Sequence, residues 1–361
     1  MEATESDRAG RVAAHAAVGT RLSLLGDRQL GAAVAAAPQT GSGVGGRSAR
    51  MEVAGVPVFV KRVPLTDVEL EPGHVRSTAN LFGLPLFYQY GLGSAGFGAW
   101  RELAAHIMTT GWVLEDAYAG FPLLHHWRVV PDGPPVGFMD ELGGVEGAVA
   151  HWDGSPAVRR RLEAVGRSSH SLVLFLEHVP RTLADWLREH RDDARPPGPG
   201  GTSAYRWVED ELVRGTRFMS SRGLVHFDAH FANLLTDGRR VHFADFGLAL
   251  SRDFELSAEE ADFLTGHLAY DRSYAPAHLL RHHLPDALRD GTGPGDFLRA
   301  WVDGHRPQGI SPDLRAVIDR HAPHAVVLDE FHRRLLTRSK HTPFPAAEIQ
   351  QALAAAPTPG P

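Results

Sequence analysis

Two short segments hold most of the residues whose types and spacing could do chemistry. The first, His226-Phe-Asp-Ala-His-Phe-Ala-Asn233, places the carboxylate Asp228 five residues before the carboxamide Asn233. The second, Asp245-Phe-Gly247, adds another carboxylate twelve residues beyond Asn233. Two apolar residues follow Asn233, and Val241-His-Phe-Ala precedes Asp245, so each segment ends or starts a short strand. Carboxylate and amide oxygens suit a hard divalent cation. Phosphoryl transfer asks for this kind of set: magnesium ligands, a phosphate cradle and a carboxylate aimed at an acceptor hydroxyl.

The elements that must position these groups follow from hydrophobic period and turn residues. Residues 1 to about 24 are mixed Ala, Arg and Glu and read as a weak helix or frayed extension. Asp27 to Ala37 favours helix, ended by Pro38. Thr40 to Gly46 is too Gly-rich for the interior of either element. Strands are expected over 47–54 and 56–63 with Gly55 at the turn, Val58 and Val60 on one face and Phe59 and Lys61 on the other. Residues 64–98 are Gly- and Pro-rich, with aromatic interruptions, and a helix is expected from Ala99 to Thr109. Further on come a strand at 121–130, a helix at 158–165, a buried strand at 171–179, a helix at 181–190, a loop at 195–202 and a helix at 205–221 closed by Gly223. From Ser257 almost to Arg338 the pattern is helical. Strands come first and helices later, with the change near residue 180, which implies a small sheet-rich lobe and a larger helical one.

On the two segments the chain resembles the protein-kinase-like superfamily, whose catalytic loop reads H-R-D-L-x-x-x-N and whose metal turn reads D-F-G. The resemblance covers about residues 40 to 340. It implies an α+β, bilobal protein-kinase-like fold: an extension over 1–39, an N-lobe over 40–179 with 64–98 inserted, a C-lobe over 180–341 and a Pro/Ala-rich tail over 342–361. It also implies ATP and Mg2+ as cofactors. Asp228 would orient the acceptor hydroxyl, with Asn233 and Asp245 on the metal. The superfamily's upstream lysine maps to Lys61 in Val58-Phe-Val-Lys61, and its helix glutamate to Glu102, with Glu115 a weaker rival. Gly41-x-Gly43-x-x-Gly46 lies one hairpin before Lys61, where the superfamily puts its phosphate-covering loop. A dinucleotide-binding reading of those glycines would need a strand before and a helix after, and no Gly-Lys-Ser/Thr follows for a P-loop. By position, backbone groups of Glu177 to Val179 would meet the adenine edge.

The chain also departs from the pattern. Phe227 replaces the Arg of H-R-D, which normally gathers an activation-loop phosphate, so control of that kind is not expected. His230 is similar to the H-x-D-x-H-x-x-N of aminoglycoside and choline kinases, whereas D-F-G-L-A is similar to protein kinases. Tyr274-Ala-Pro-Ala277 is a poor imitation of A-P-E. The acceptor expected is a Ser/Thr hydroxyl of a protein or peptide. The alternatives are a small molecule of aminoglycoside or choline type, and a catalytically weak kinase-like binding protein.

Composition narrows the remaining classes. The chain has 361 residues, 43% apolar and 22% charged, as for an ordinary globular protein. A net charge of −6 gives no basic footprint for nucleic acid. Cys is absent, which removes disulfides and thiolate chemistry and suits a cytoplasmic enzyme. No apolar run of about 18 residues suggests a membrane span, and no signal segment is expected. The paired histidines 125–126 and 282–283 and the run His321 to His324 lack H-E-x-x-H spacing and are not expected to bind metal.

Overall fold

The computed structural model describes residues 2–43, 46–91, 93–191 and 202–356. The chain is α+β, with a five-stranded antiparallel sheet followed by a mainly helical region. Contacts divide it into two compact units. One is Met1–His178 with Asp245–Ala249 and Phe254–Ser257; the other is Val179–Ala244 with Leu250–Asp253 and Ala258–Pro361.

The first unit runs α1 (Glu2–Ser23), α2 (Asp27–Ala36), β1 (Gln39–Gly43), β2 (Gly46–Val53), β3 (Val56–Leu65), α3 (Asp67–Leu70), α4 (Ala99–Leu114), β4 (Leu124–Pro131), α5 (Gly144–His151), α6 (Pro156–Val165) and β5 (His170–Glu177). Its strand order is β1-β2-β3-β5-β4. The central strands bury both faces. Val58 and Val60 of β3 and Val173 and Phe175 of β5 pack with Val18, Leu22, Leu30 and Val34 from α1 and α2. Val63 and Leu65 of β3 and Leu172, Leu174 and Leu176 of β5 pack with Trp100 and Leu103 of α4. The period of two along β3 therefore sends Lys61 to the α4 side.

One expectation is corrected here, that for residues 40–46, and two segments are defined more closely. Residues 2–23 form a helix, one of the two readings the sequence left open. Val18 and Leu22 insert into the sheet core, and Arg11 pairs with the Glu177 carboxylate at 2.7 Å while also donating to the Ala119 and Phe121 carbonyls. Residues 39–43 form a strand despite their glycines, because pairing with β2 satisfies their backbone groups. The 64–98 segment carries α3 and a 3-10 turn, Leu86–Tyr90, whose last four residues are buried.

The second unit runs β6 (Arg181–Thr182), α7 (Leu183–His190), α8 (Ala204–Ser221), β7 (Leu224–Val225), β8 (Leu234–Thr236), β9 (Val241–Phe243), β10 (Leu250–Ser251), α9 (Ala258–His267), α10 (Tyr270–His282), α11 (Pro294–Val302), α12 (Pro312–Thr337) and α13 (Ala346–Ala355). β6, β8 and β9 form a small antiparallel sheet, and β10 pairs with β7. Thr182 and Ser203 cap α7 and α8 through their side-chain oxygens. Gly223, at φ 73°, turns the chain out of α8 into β7. The buried Glu209 of α8 accepts from Arg320 at 2.5 Å and from the His321 ring at 2.7 Å, tying α8 to α12. The expected tail over 342–361 is instead helix α13 up to Ala355, with Ile349 fully buried. Most of the expected loop at 195–202 lies outside the described residues. No helix among the described residues is long and apolar enough to cross a membrane.

Candidate active site

Each unit assembles its own group of functional side chains. In the first, the Lys61 ammonium stands 2.7 Å from Glu102 Oε1 and 2.7 Å from Asp245 Oδ1. Lys61 and Glu102 are buried, at 7% and 2% exposure, whereas the Asp245 side chain is 39% exposed. Burial works against the Lys61 charge, but the Asp245 and Glu102 carboxylates outweigh it and hold the amine above its ordinary range. Burial pushes the Glu102 carboxyl up to about 7, with Lys61 pulling the other way. Glu115, the rival by position, is the exposed C-cap of α4 and has no part in this group.

Asp245 sits in the left-handed region at φ 60°, a conformation that costs a non-glycine residue on the order of 1–3 kcal/mol. The Gly247 N–H donates back to Asp245 Oδ1 at 3.4 Å. Phe246 is fully buried, edge-on to His106 of α4 at 5.0 Å and beside Phe121 at 6.2 Å. The apolar side chain between Asp245 and Gly247 thus anchors the turn while leaving its carboxylate partly open.

In the second unit the loop 226–233 is held from below by one carboxylate. Asp271, fully buried on α10, accepts the His226 N–H at 2.5 Å and the Phe227 N–H at 3.0 Å. Burial raises its carboxyl above the usual range. His226 Nδ1 accepts the Asp228 N–H at 3.3 Å, so its Nε2–H donates to the Ala244 carbonyl at 2.8 Å. The Ala244 N–H returns to the Asn233 carbonyl at 3.1 Å. The Asn233 amide N–H2 donates to Asp228 Oδ2 at 3.0 Å and to its carbonyl at 3.1 Å. That assignment turns the Asn233 amide oxygen away from the Asp228 carboxylate. His230 Nε2 stands 3.7 Å from Asp228 Oδ2. Phe227, at φ 63°, points into an aromatic nest of Phe263, His267 and Tyr270 with ring centroids 5.0 to 5.8 Å away.

Other expected site residues fall as follows. Gly43 pairs with Gly46 at the tip of the β1–β2 hairpin, while the intervening residues 44 and 45 lie outside the described residues. Gly46 has φ 117°, and a Cβ there would come within 2.2 Å of the Arg62 carbonyl oxygen, so only glycine fits. Gly41 lies on β1 beside Ser48. Glu177 ends β5 with its N–H donated to Leu123 O at 2.8 Å. Val179 follows in the second unit as its first residue. Tyr274 to Ala277 lies inside α10, buried in part, and forms no platform.

Residue-by-residue reading missed Asp271 and Glu69. Asp271 is in phase with Ala275 and Leu279 on the buried stripe of α10, where a carboxylate is a visible anomaly. Glu69 completes a capping box with Thr66, a pattern legible as T-x-x-E. Among the described residues no group of three or more His, Asp or Glu is arranged to hold a metal ion. Magnesium asks less, one or two protein oxygens beside phosphate oxygens, and the Asp245 carboxylate and Asn233 amide oxygen are donors of that hard type. No protein-family model matches the chain, and no curated protein matches its sequence. The geometry of the two groups therefore carries the functional argument.

Proposed function

We propose that the chain is an ATP- and magnesium-dependent phosphotransferase of the bilobal protein-kinase-like fold. The observation that carries this is Lys61, buried and charged between Glu102 and Asp245 at 2.7 Å each. A buried ammonium with two carboxylates is costly to keep for packing alone. It makes sense as an anion-binding point whose partners also serve a cation. Lys61 would hold phosphate oxygens, Glu102 braces Lys61, and Asp245 and Asn233 would hold magnesium, which neutralises the charge developing on the transferred group. Asp228, kept in place by Asn233 and His226, accepts the proton of the acceptor hydroxyl.

The acceptor hydroxyl belongs, on this reading, to a small molecule rather than to the protein or peptide expected from D-F-G-L-A. The chain passes from Asp245 to the start of α9 at Ala258 with only β10 between, and Tyr274 to Ala277 is helix interior. A short connection of that kind favours a small acceptor over a docked peptide. Asp245→Ala and Asp228→Asn should each lower magnesium-dependent ATP turnover by several powers of ten, and unchanged turnover in both would sink the assignment. Incubation with γ-labelled ATP separates the acceptors, because label in protein would favour Ser/Thr and label in soluble metabolites the small-molecule reading. Nucleotide binding without turnover on any acceptor would instead support a binding protein.

A further inference from the structure

The long separation between Lys61 and Glu102 is filled by residues 66–98, and these residues contact the start of the helix that carries Glu102 and the chain just beyond Asp245. Glu69 is buried at 1% exposure, in the first turn after β3. Its Oε1 accepts the N–H of Ala99, the first residue of α4, at 2.7 Å. Its Oε2 accepts from the Thr66 hydroxyl at 2.7 Å and from Arg161 of α6 at 2.8 Å. The α4 N-cap, Gly98, has no side chain to cap with, and at φ 146° a Cβ there would stand 2.8 Å from Glu69 Oε1. A carboxylate thirty residues upstream thus does the work of the missing cap and faces the positive end of the helix. Glu102 lies three residues into that helix, so the angle at which α4 is held decides whether it meets Lys61.

The same segment holds the chain that carries Asp245. The buried Gln89 side chain donates to the Leu248 carbonyl. Gly96, at φ 71°, lies so close to the Gly247 carbonyl oxygen that a Cβ would approach to 2.6 Å. Thr78 Oγ1 accepts the Glu255 N–H at 2.8 Å, while Arg101 of α4, just beyond the segment, lies over the Phe254 ring. Through these contacts Asp245–Ala249 and Phe254–Ser257 pack with the first unit.

We propose that residues 66–98 are a built-in clamp that keeps Glu102 and Asp245 on Lys61 without an activating modification, with Glu69 the positioning residue for α4. The inference rests on the phosphotransferase reading for its functional meaning. Its physical content stands apart, because Glu69 acts on Lys61 only through Glu102. Glu69→Gln puts an amide where Arg161 needs a carboxylate, and Gly98→Ala pushes on the same oxygen from the helix side, so the contact is tested twice if one variant folds poorly.

Each variant is made alone and on a Glu102→Gln background. In the wild-type background ATP turnover should fall tenfold or more, and on Glu102→Gln by less than twofold further, since nothing remains to be positioned. Equal losses in both backgrounds overturn the clamp. A readout independent of turnover is acetylation of Lys61 by acetic anhydride, followed by peptide mass spectrometry. Glu69→Gln should speed labelling several-fold in the wild-type background and leave it unchanged on Glu102→Gln. Unchanged labelling in a folded Glu69→Gln protein overturns the clamp. Altered labelling in a protein with no ATP turnover supports the clamp and sinks the phosphotransferase reading alone.

Discussion

Lys61→Met keeps the length of the side chain and removes the ammonium that Glu102 and Asp245 share at 2.7 Å. The two carboxylates do not suffer equally. Asp245, with a side chain 39% exposed, can turn to water, whereas Glu102 at 2% cannot. The cost therefore falls on Glu102, and removing one partner of a buried pair costs about 3–5 kcal/mol. Glu102 has one escape, protonation, which burial already favours by holding its carboxyl at about 7 with Lys61 present. At pH 6 wild type and variant both carry that proton, and the loss shrinks to a missing hydrogen bond, about 1 kcal/mol. At pH 9 the charge is retained or neutralised only at further cost. Urea unfolding at the two pH values should show a midpoint loss several-fold larger at pH 9, and thermal unfolding a drop of roughly 10 °C there. Adding Glu102→Gln to Lys61→Met should restore most of the stability at pH 9. Equal destabilisation at both pH values, or no recovery in the double variant, would refute the placement of these charges.

Other outcomes follow from the same geometry. The Glu102 carboxyl is raised from an ordinary 4.5 to about 7, so its proton stabilises the folded chain fully below pH 4.5, and that contribution is lost as pH rises through about 7. Turnover should climb over the same interval because the ionised carboxylate holds Lys61, and Glu102→Gln should flatten both profiles, read by pH-dependent unfolding and pH–rate curves. Asp271→Asn leaves one acceptor for two buried N–H groups and should cost about 1.5–3 kcal/mol in denaturant unfolding, with a fall in kcat. Phe227→Arg drives a charge into the nest of Phe263, His267 and Tyr270, and should lower stability by at least about 3 kcal/mol in the same assay.

What was legible in the sequence is what local spacing encodes. Asp228, Asn233 and Asp245 stand on short strands and turns whose ends are written in neighbouring residues, and β3 with α4 follows from period two passing to period 3.6. Lys61 and Glu102 meet across 41 positions, and their pairing came from the resemblance rather than from spacing. Elements with weak local patterns were left open or misread. α1 is poor in large apolar residues, and its order comes from Val18 and Leu22, docked in the sheet core, and from Arg11 paired with Glu177. β1 is Gly-rich and stands because β2 pairs with it. α13 looked like a tail because Ile349 is its single buried anchor. In each case stability comes from a partner distant in sequence, which propensity does not report.

The residues that hold the site in shape are less legible than those that act in it, for a physical reason. A metal ligand or a base must be one of a few side chains at a fixed local spacing, whereas any donor or acceptor that reaches can brace a helix. Glu69 reaches Ala99 from thirty residues away, Arg161 meets Glu69 from ninety-two, and Gln89 meets Leu248 across 159. Phe227 shows the same division inside the 226–233 loop itself. Where the resemblance places an arginine that waits for a phosphate, this chain has a ring packed at 5.0 Å on Tyr270 while Asp271 grips its N–H. At position 227 the loop is thus anchored by an apolar nest and a buried carboxylate rather than by a cation that a modification would satisfy.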